Sequence, residues 1–365
     1  MSNGIAITGM GIVSAIGANV AENLQALKNG KTGISTISKI DTVHKNDIKV
    51  GEVGSTNTEL ETQLGVSHDN NYSRTALLGA IAAKEAVANA GIGDIKAYTT
   101  GLISSTSVGG MDMTERFYYD YLENNRNRKY IETHHAGDST QKIAQQLGIE
   151  KGLVTTISTA CSSAANAILL GARLIRSGRL ERVVVGGADC LSKFTINGFK
   201  TLMILSDTDN TPFDENRKGL NLGEAAAFLV LEAEHVVRKE GKEVLAYLKG
   251  WGNANDAYHQ TASSEYGDGA TLAMEKALDV AGLHATDIDY INAHGTATAN
   301  NDLSEGRALV RIFGEGSVPR FSSTKPFTGH TLAAAGGVEA VYSILSLRYG
   351  LIFPTLNWQT PMKEF

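Results

Sequence analysis

At 365 residues, with 42% hydrophobic side chains and a formal net charge of −6, the chain is long enough for a large core and too acidic for a general nucleic-acid binder. Two cysteines, Cys161 and Cys190, give no disulfide framework. The opening Met-Ser-Asn-Gly-Ile is no signal peptide, no apolar run approaches the ~18 residues of a membrane span, and the chain reads as cytoplasmic.

In chain order, a strand with a Gly-rich exit opens the sequence (Ile5 to Gly17), and helical apolar spacing runs from Arg74 to Ala90, stopped by Gly91. A strand (Thr99 to Ser105), a helix near Thr140 to Leu147 and a strand (Leu153 to Thr159) lead to a helix from Cys161 to about Ser177. Arg182 to Gly186 and Ala225 to Leu231 read as buried strands. The order then recurs: a strand from Leu245 to Trp251, a helix from Ala270 to Ala281, and a strand from Ile288 to Asn292. A helix from Leu303 to Phe313, a short strand (Arg320 to Ser323) and a long apolar helix (Thr331 to Tyr349) complete it.

This repetition predicts an α/β protein of two similar halves, 1–240 and 241–365, with Cys161 and His330 at equivalent strand-to-helix junctions. In the first half two strands come after the cysteine helix, whereas only the loop-like stretch 351–365 comes after the matching helix of the second. The symmetry therefore predicts that the last two strands are missing.

Three strand ends carry reactive side chains. A thiol at the first turn of a helix meets free N–H groups and the positive end of the dipole, so Cys161 is expected to favour the nucleophilic thiolate. His294 ends a strand in Asn292-Ala-His-Gly-Thr296, Lys325 ends the next strand, and His330 starts the long helix, where a histidine should stay neutral. One cysteine and two histidines are also a zinc-like set, yet they lack paired zinc-ligand spacing, and no metal is expected. Gly9-Met-Gly11-Ile-Val-Ser14 resembles a dinucleotide fingerprint but has serine for the third glycine, and reads as a tight strand exit. Cys190 reads as core packing, and Glu339 as a structural carboxylate or a cation ligand.

The Ala-Cys-Ser-Ser, Asn-Ala-His-Gly-Thr and Thr-Gly-His motifs together resemble the elongating β-ketoacyl-acyl-carrier-protein synthases of the thiolase-fold superfamily, over essentially the whole chain. The resemblance implies a duplicated α-β-α-β-α five-layer fold and an acyltransferase that needs no cofactor. It makes Cys161 the acyl-accepting nucleophile, assigns His294 and His330 to decarboxylation and condensation, and has Lys325 organise the site. Thr261, Thr296 and Thr298 would line the phosphopantetheine channel, Val108 and Phe199 the acyl pocket. It also implies a homodimer, or a heterodimer with a chain-length partner, and docking of an acidic acyl carrier protein. Arg126, Arg128 and Lys129 form the best basic cluster for that docking, with Lys200 near the pocket mouth.

Three departures from the family pattern stand out. The C-terminal Gly-Phe-Gly-Gly loop is absent, in line with the missing strands, so the chain as written is expected to be inactive or poorly folded. Ala225 stands where glycine is more usual, on the pocket wall. Tyr118, Tyr119, Tyr121 and Tyr130 fit either interface packing or a pocket for an aromatic or conjugated acyl chain. The rivals are a degradative thiolase, disfavoured by the paired histidines, and a non-catalytic chain-length subunit, disfavoured by Cys161.

Overall fold

Residues 183–185 and 225–231 are apolar at every position, which suits strands covered on both faces. The structure, a computed structural model describing residues 4–363 apart from 150 and 260, places both runs in the middle of a six-stranded mixed sheet. The chain begins with β1 (Ile5–Val13), α1 (Val20–Lys28), β2 (Ile34–Thr36), β3 (Lys49–Gly51), α2 (Asn57–Leu64) and α3 (Arg74–Asn89). It continues through β4 (Thr100–Ser105), α4 (Met111–Asn124), α5 (Arg128–Ile131), α6 (Ala136–Leu147), β5 (Val154–Ile157) and α7 (Ser163–Arg176). Next come β6 (Arg182–Asp189), α8 (Lys193–Thr201), β7 (Leu222–Gly223), β8 (Ala225–Glu232) and α9 (Glu234–Glu240). After these lie β9 (Ala246–Leu248), α10 (Asp268–Ala281), β10 (Tyr290–Asn292), α11 (Ala299–Phe313), β11 (Arg320–Ser322), α12 (Lys325–Thr328) and α13 (Ala335–Tyr349).

The main sheet runs β5-β4-β6-β8-β1-β9, with β4 parallel to β5 and β6, and β8 antiparallel to both β6 and β1. Alternate side chains build two cores. Val184, Phe228 and Val230 pack with Leu77, Leu78 and Ala82 of α3 on one face. Val183, Val185, Leu229 and Leu231 pack with Ala167 and Ala172 of α7 and Val338 and Tyr342 of α13 on the other. Gly9 and Gly11 let α3 close on β1: a Cβ would stand 2.3 Å from the Ala86 carbonyl oxygen or 2.1 Å from that of Ala82. These glycines serve packing, in keeping with their reading as a tight strand exit.

Beyond α9 the repetition is partial among the described residues. β10 and β11 pair in parallel, and β9 joins the first sheet by pairing antiparallel with Ile5–Ile7 of β1. A third sheet, β2-β3-β7, leads into the site through a bridge between Leu222 and His330. The long helix starts at Ala335 rather than Thr331, because Leu332 adopts a left-handed φ of +53° that no regular helix continues. Likewise β11 ends at Ser322, and Lys325 opens the short α12 instead of closing the strand. α4 escaped the sequence reading because none of its residues is buried, so no core-facing stripe marks it.

One buried ion cluster ties the sheet edges together. Arg182 Nε lies 2.7 Å from Glu232, which also accepts from Lys242 Nζ at 3.0 Å and Thr8 Oγ1 at 2.6 Å. Replacing Glu232 with Gln leaves two buried cations without their anion, so the expected loss is about 3–5 kcal/mol, read as a lowered urea midpoint. An unchanged midpoint would mean that the cluster does not stabilise the fold.

Candidate active site

Cys161 comes directly after Ala160, whose φ of +52° is unusual for a residue with a side chain, and precedes Ser162, the N-cap of α7. Buried Ser163 holds this sharp turn: its Oγ accepts from Thr159 N at 2.8 Å and donates to the Ala160 carbonyl at 2.6 Å. The thiol is thus aimed by local geometry at the head of the helix. Its acidity departs from the sequence expectation. Burial pushes the Cys161 thiol up, and the Lys325 ammonium pulls it down by less. Loss of water around the sulfur thus outweighs the neighbouring charge that favours the thiolate.

His330 Nε2 stands 3.0 Å from Cys161 Sγ, and its Nδ1 accepts the Leu332 backbone N–H at 3.1 Å. A neutral imidazole whose Nδ1 is an acceptor carries its proton on Nε2, so His330 points an N–H at the sulfur. His294 is fixed in the same tautomer, because its Nδ1 accepts from Lys325 Nζ at 3.2 Å. The ammonium also donates to the His294 carbonyl and to Glu339 Oε1, each at 2.5 Å, so three N–H groups meet three acceptors. The imidazole rings cross nearly at right angles, 5.2 Å between centroids. Burial holds both histidines well below their ordinary range, with the Lys325 charge adding to it. His330 is neutral as expected, though burial rather than a helix terminus is the main cause.

A cavity of about 340 Å³ opens beside Cys161, lined by Val108 and Phe199 together with Phe194, Thr195, Leu202 and Leu332. The two phenylalanines come from α8, with Leu202 at its C-cap, and the sequence reading missed this helix. Thr296 and Thr298 lie on the loop after His294 with their hydroxyls 2.9 Å apart, outside the lining of this cavity. Thr261 is exposed on another loop, and among the described residues no hydrogen bond joins it to either threonine. Arg128 and Lys129 sit on α5, paired with Glu132 at 3.0 Å and with Asp69, whereas Arg126 is exposed with no acidic partner among the described residues. Ala225 packs in the core opposite Asp189 and does not line the cavity. Tyr118 and Tyr119 face outward from α4, and Tyr130 stacks on Phe117 at 4.2 Å.

Family models for the β-ketoacyl synthase N-terminal and C-terminal domains match residues 2–236 and 245–359. The chain belongs to the β-ketoacyl synthase family. It is 32% identical over 372 residues to 3-oxoacyl-[acyl-carrier-protein] synthase 2 of Staphylococcus aureus strain N315, covering 99% of this chain and 89% of that protein. A Vibrio cholerae protein of the same name is 32% identical over 371 residues, covering 98% and 89%. The ishigamide ketosynthase/chain length factor superposes with a TM-score of 0.92 at 29% identity, covering 100% of this chain and 91% of that one. The ketosynthase ApeO in complex with its chain length factor ApeC from Xenorhabdus doucetiae gives 0.81 at 30%, covering 99% and 92%. The fold is therefore the thiolase-like α/β type, and this β-ketoacyl synthase is an acyltransferase.

The candidate site of this synthase contains carboxylates that the motifs alone did not reveal. Glu305 on α11 accepts the backbone N–H groups of His294 and Gly295 at 2.7 and 2.8 Å, and Asp302 accepts those of Thr296 and Ala297 at 3.0 and 3.1 Å. Two carboxylates three residues apart in the helix after the His-Gly-Thr loop were the available signal. Burial pushes Glu305 up from 4.5 to about 7, against the pull of its two backbone donors. The folded synthase therefore holds an extra proton between those values, and Glu305 costs up to about 3 kcal/mol of stability as pH rises through the window. Glu305→Gln should remove that slope, so the gap in thermal midpoint between parent and variant changes between pH 4.5 and pH 7. A gap independent of pH would contradict it.

Ligand atoms of Cys161, His294 and His330 all lie within 4.8 Å of one another, close enough to face one metal ion. The surroundings do not suit one. Metal-bound histidines usually donate their other N–H to an oxygen, yet here both Nδ1 atoms accept, one of them from an ammonium that opposes a dication.

Proposed function

We propose that the chain carries out a decarboxylating Claisen condensation between an acyl group on Cys161 and malonyl-acyl carrier protein, with His294, His330 and Lys325 as its working set. The Cys161 S–H bond breaks as the sulfur attacks the acyl thioester carbonyl; the carbonyl–carrier sulfur bond then breaks, and the carrier sulfur leaves with that proton as a thiol. The bond between the malonyl carboxylate and the α-carbon then breaks, CO₂ departs, and the electron pair delocalises onto the thioester oxygen. Two Nε2–H groups donate to that oxygen. The α-carbon attacks the acyl-Cys161 carbonyl, the sulfur leaves, and a β-ketoacyl carrier forms. Decarboxylation drives the reaction, so no cofactor enters. The observation that carries this reading is the occupation of both Nδ1 atoms, which leaves two neutral N–H donors beside one sulfur.

Val108 and Phe199 are assigned to the acyl chain, and Thr261, Thr296 and Thr298 to the phosphopantetheine arm. Arg128 and Lys129, with the exposed Arg126 beside them, are assigned to the acidic carrier, in a homodimer or beside a chain-length partner. The division near residue 240 is supported by the two matched ranges that flank it. A cytoplasmic location suits a mechanism that needs Cys161 reduced.

Phe194 and Phe199 give the cavity flat aromatic walls, which favour a conjugated acyl chain through stacking. Incubation with malonyl carrier should release one CO₂ per β-ketoacyl product, faster with aryl-enoyl than with saturated acyl carriers of equal length. A preference for saturated chains rejects the aromatic specificity. Failure to condense either class rejects the reaction.

A further inference from the structure

Asp189, at the end of β6, is fully buried, and no cation lies within ion-pair distance of it among the described residues. Its charge is met only by dipoles. Oδ1 accepts from Thr106 Oγ1 at 2.5 Å and Ser107 N at 3.0 Å, while Oδ2 accepts from Ser107 Oγ at 2.5 Å and Ala333 N at 2.9 Å. These partners come from two loops. One is the Ser107–Val108 wall of the acyl cavity, and the other continues directly from Leu332.

Leu332 is the link to the chemistry. Its N–H fixes the His330 tautomer, its side chain lines the cavity, and its φ of +53° persists only if its surroundings enforce it. We infer that Asp189 is a positioning residue for the condensation. By gripping Ala333 it keeps Leu332 left-handed with its N–H on His330, and with the same carboxylate it sets the Ser107–Val108 wall. An asparagine would be cheaper to bury, but whichever way its amide is turned its NH₂ faces a backbone N–H, that of Ala333 on one side or of Ser107 on the other.

The inference rests on the proposed role of His330 as a donor, and its test reads that histidine without turnover. Asp189→Asn should lower condensation and malonyl decarboxylation roughly 10- to 100-fold, the size expected when a reacting group is misplaced. In ¹⁵N NMR of histidine-labelled protein, the parent should show His330 protonated on Nε2 alone, and the variant a mixture of tautomers at an unchanged circular dichroism spectrum. Unchanged rates, or lower rates with the tautomer intact, would overturn the inference. If the parent shows the tautomer and the variant loses it, but the parent itself does not decarboxylate malonyl carrier, the functional proposal fails while the control of His330 by Asp189 stands. Should Asp189→Asn not fold, glycine at position 332 takes the left-handed conformation without strain, so the Asp189→Asn/Leu332→Gly double variant should fold. A double variant that stays unfolded while Leu332→Gly folds would also overturn it.

Discussion

Replacing Cys161 with alanine is expected to lower acyl transfer roughly 10⁴-fold or more while leaving malonyl decarboxylation within about tenfold of the parent chain. The split arises from the geometry. In the proposed reaction the sulfur alone forms the acyl thioester, whereas the enolate oxygen is assigned to two imidazole N–H groups whose tautomers are set by Lys325 and by the Leu332 N–H, neither of which involves the thiol. Alanine removes one polarisable atom next to an open cavity, so the fold should tolerate it. Radiolabelled acyl transfer and CO₂ release, measured on the same preparations, separate the two steps. Equal loss of both would mean that Cys161 organises the histidines as well as accepting the acyl group.

Lys325→Met should cost roughly 10²–10³-fold in decarboxylation and move the pH profile. The rate loss comes from His294, which keeps a defined Nε2–H only while the ammonium occupies its Nδ1. The charge sets the direction of the pH shift. Lys325 lowers the pKa of both histidines, so removing it lets them rise toward their ordinary range, and the acid limb of activity moves to higher pH. The same charge also holds the Cys161 thiol down against burial, so alkylation of that thiol should shift to higher pH in the variant as well. Lys325→Arg, which keeps the charge but not the compact ammonium, should restore the pH limbs better than the rate. A profile that moves to lower pH in Lys325→Met would contradict this electrostatic arrangement.

Much of the site was legible in the sequence because strand ends advertise themselves. Stretches rich in β-branched and aromatic residues stop at Thr159 and Asn292, and the next residues are small or hydroxylated ones around a single reactive side chain. Residue types in sequence do not report solvent access, however. The helix-terminus argument for a thiolate was sound locally, but burial outweighed it. The stretch expected to be helical from Thr331 is rich in alanine and glycine, and nothing in that run showed that Leu332 turns left-handed to serve His330. Asp189 was hidden for a related reason, since its partners Thr106 and Ala333 lie 83 and 144 residues away. α4 and α8 were missed because they bury little, although α8 supplies the aromatic wall of the cavity.

The most direct measurement is mass spectrometry of the Cys161 peptide after exposure to an acyl carrier protein. The acyl mass should appear on that cysteine, stay absent from the fully buried Cys190, and disappear when malonyl carrier is added and a β-ketoacyl product forms. An unmodified Cys161 peptide, or an adduct that malonyl carrier does not discharge, would contradict its role as the acyl-carrying nucleophile.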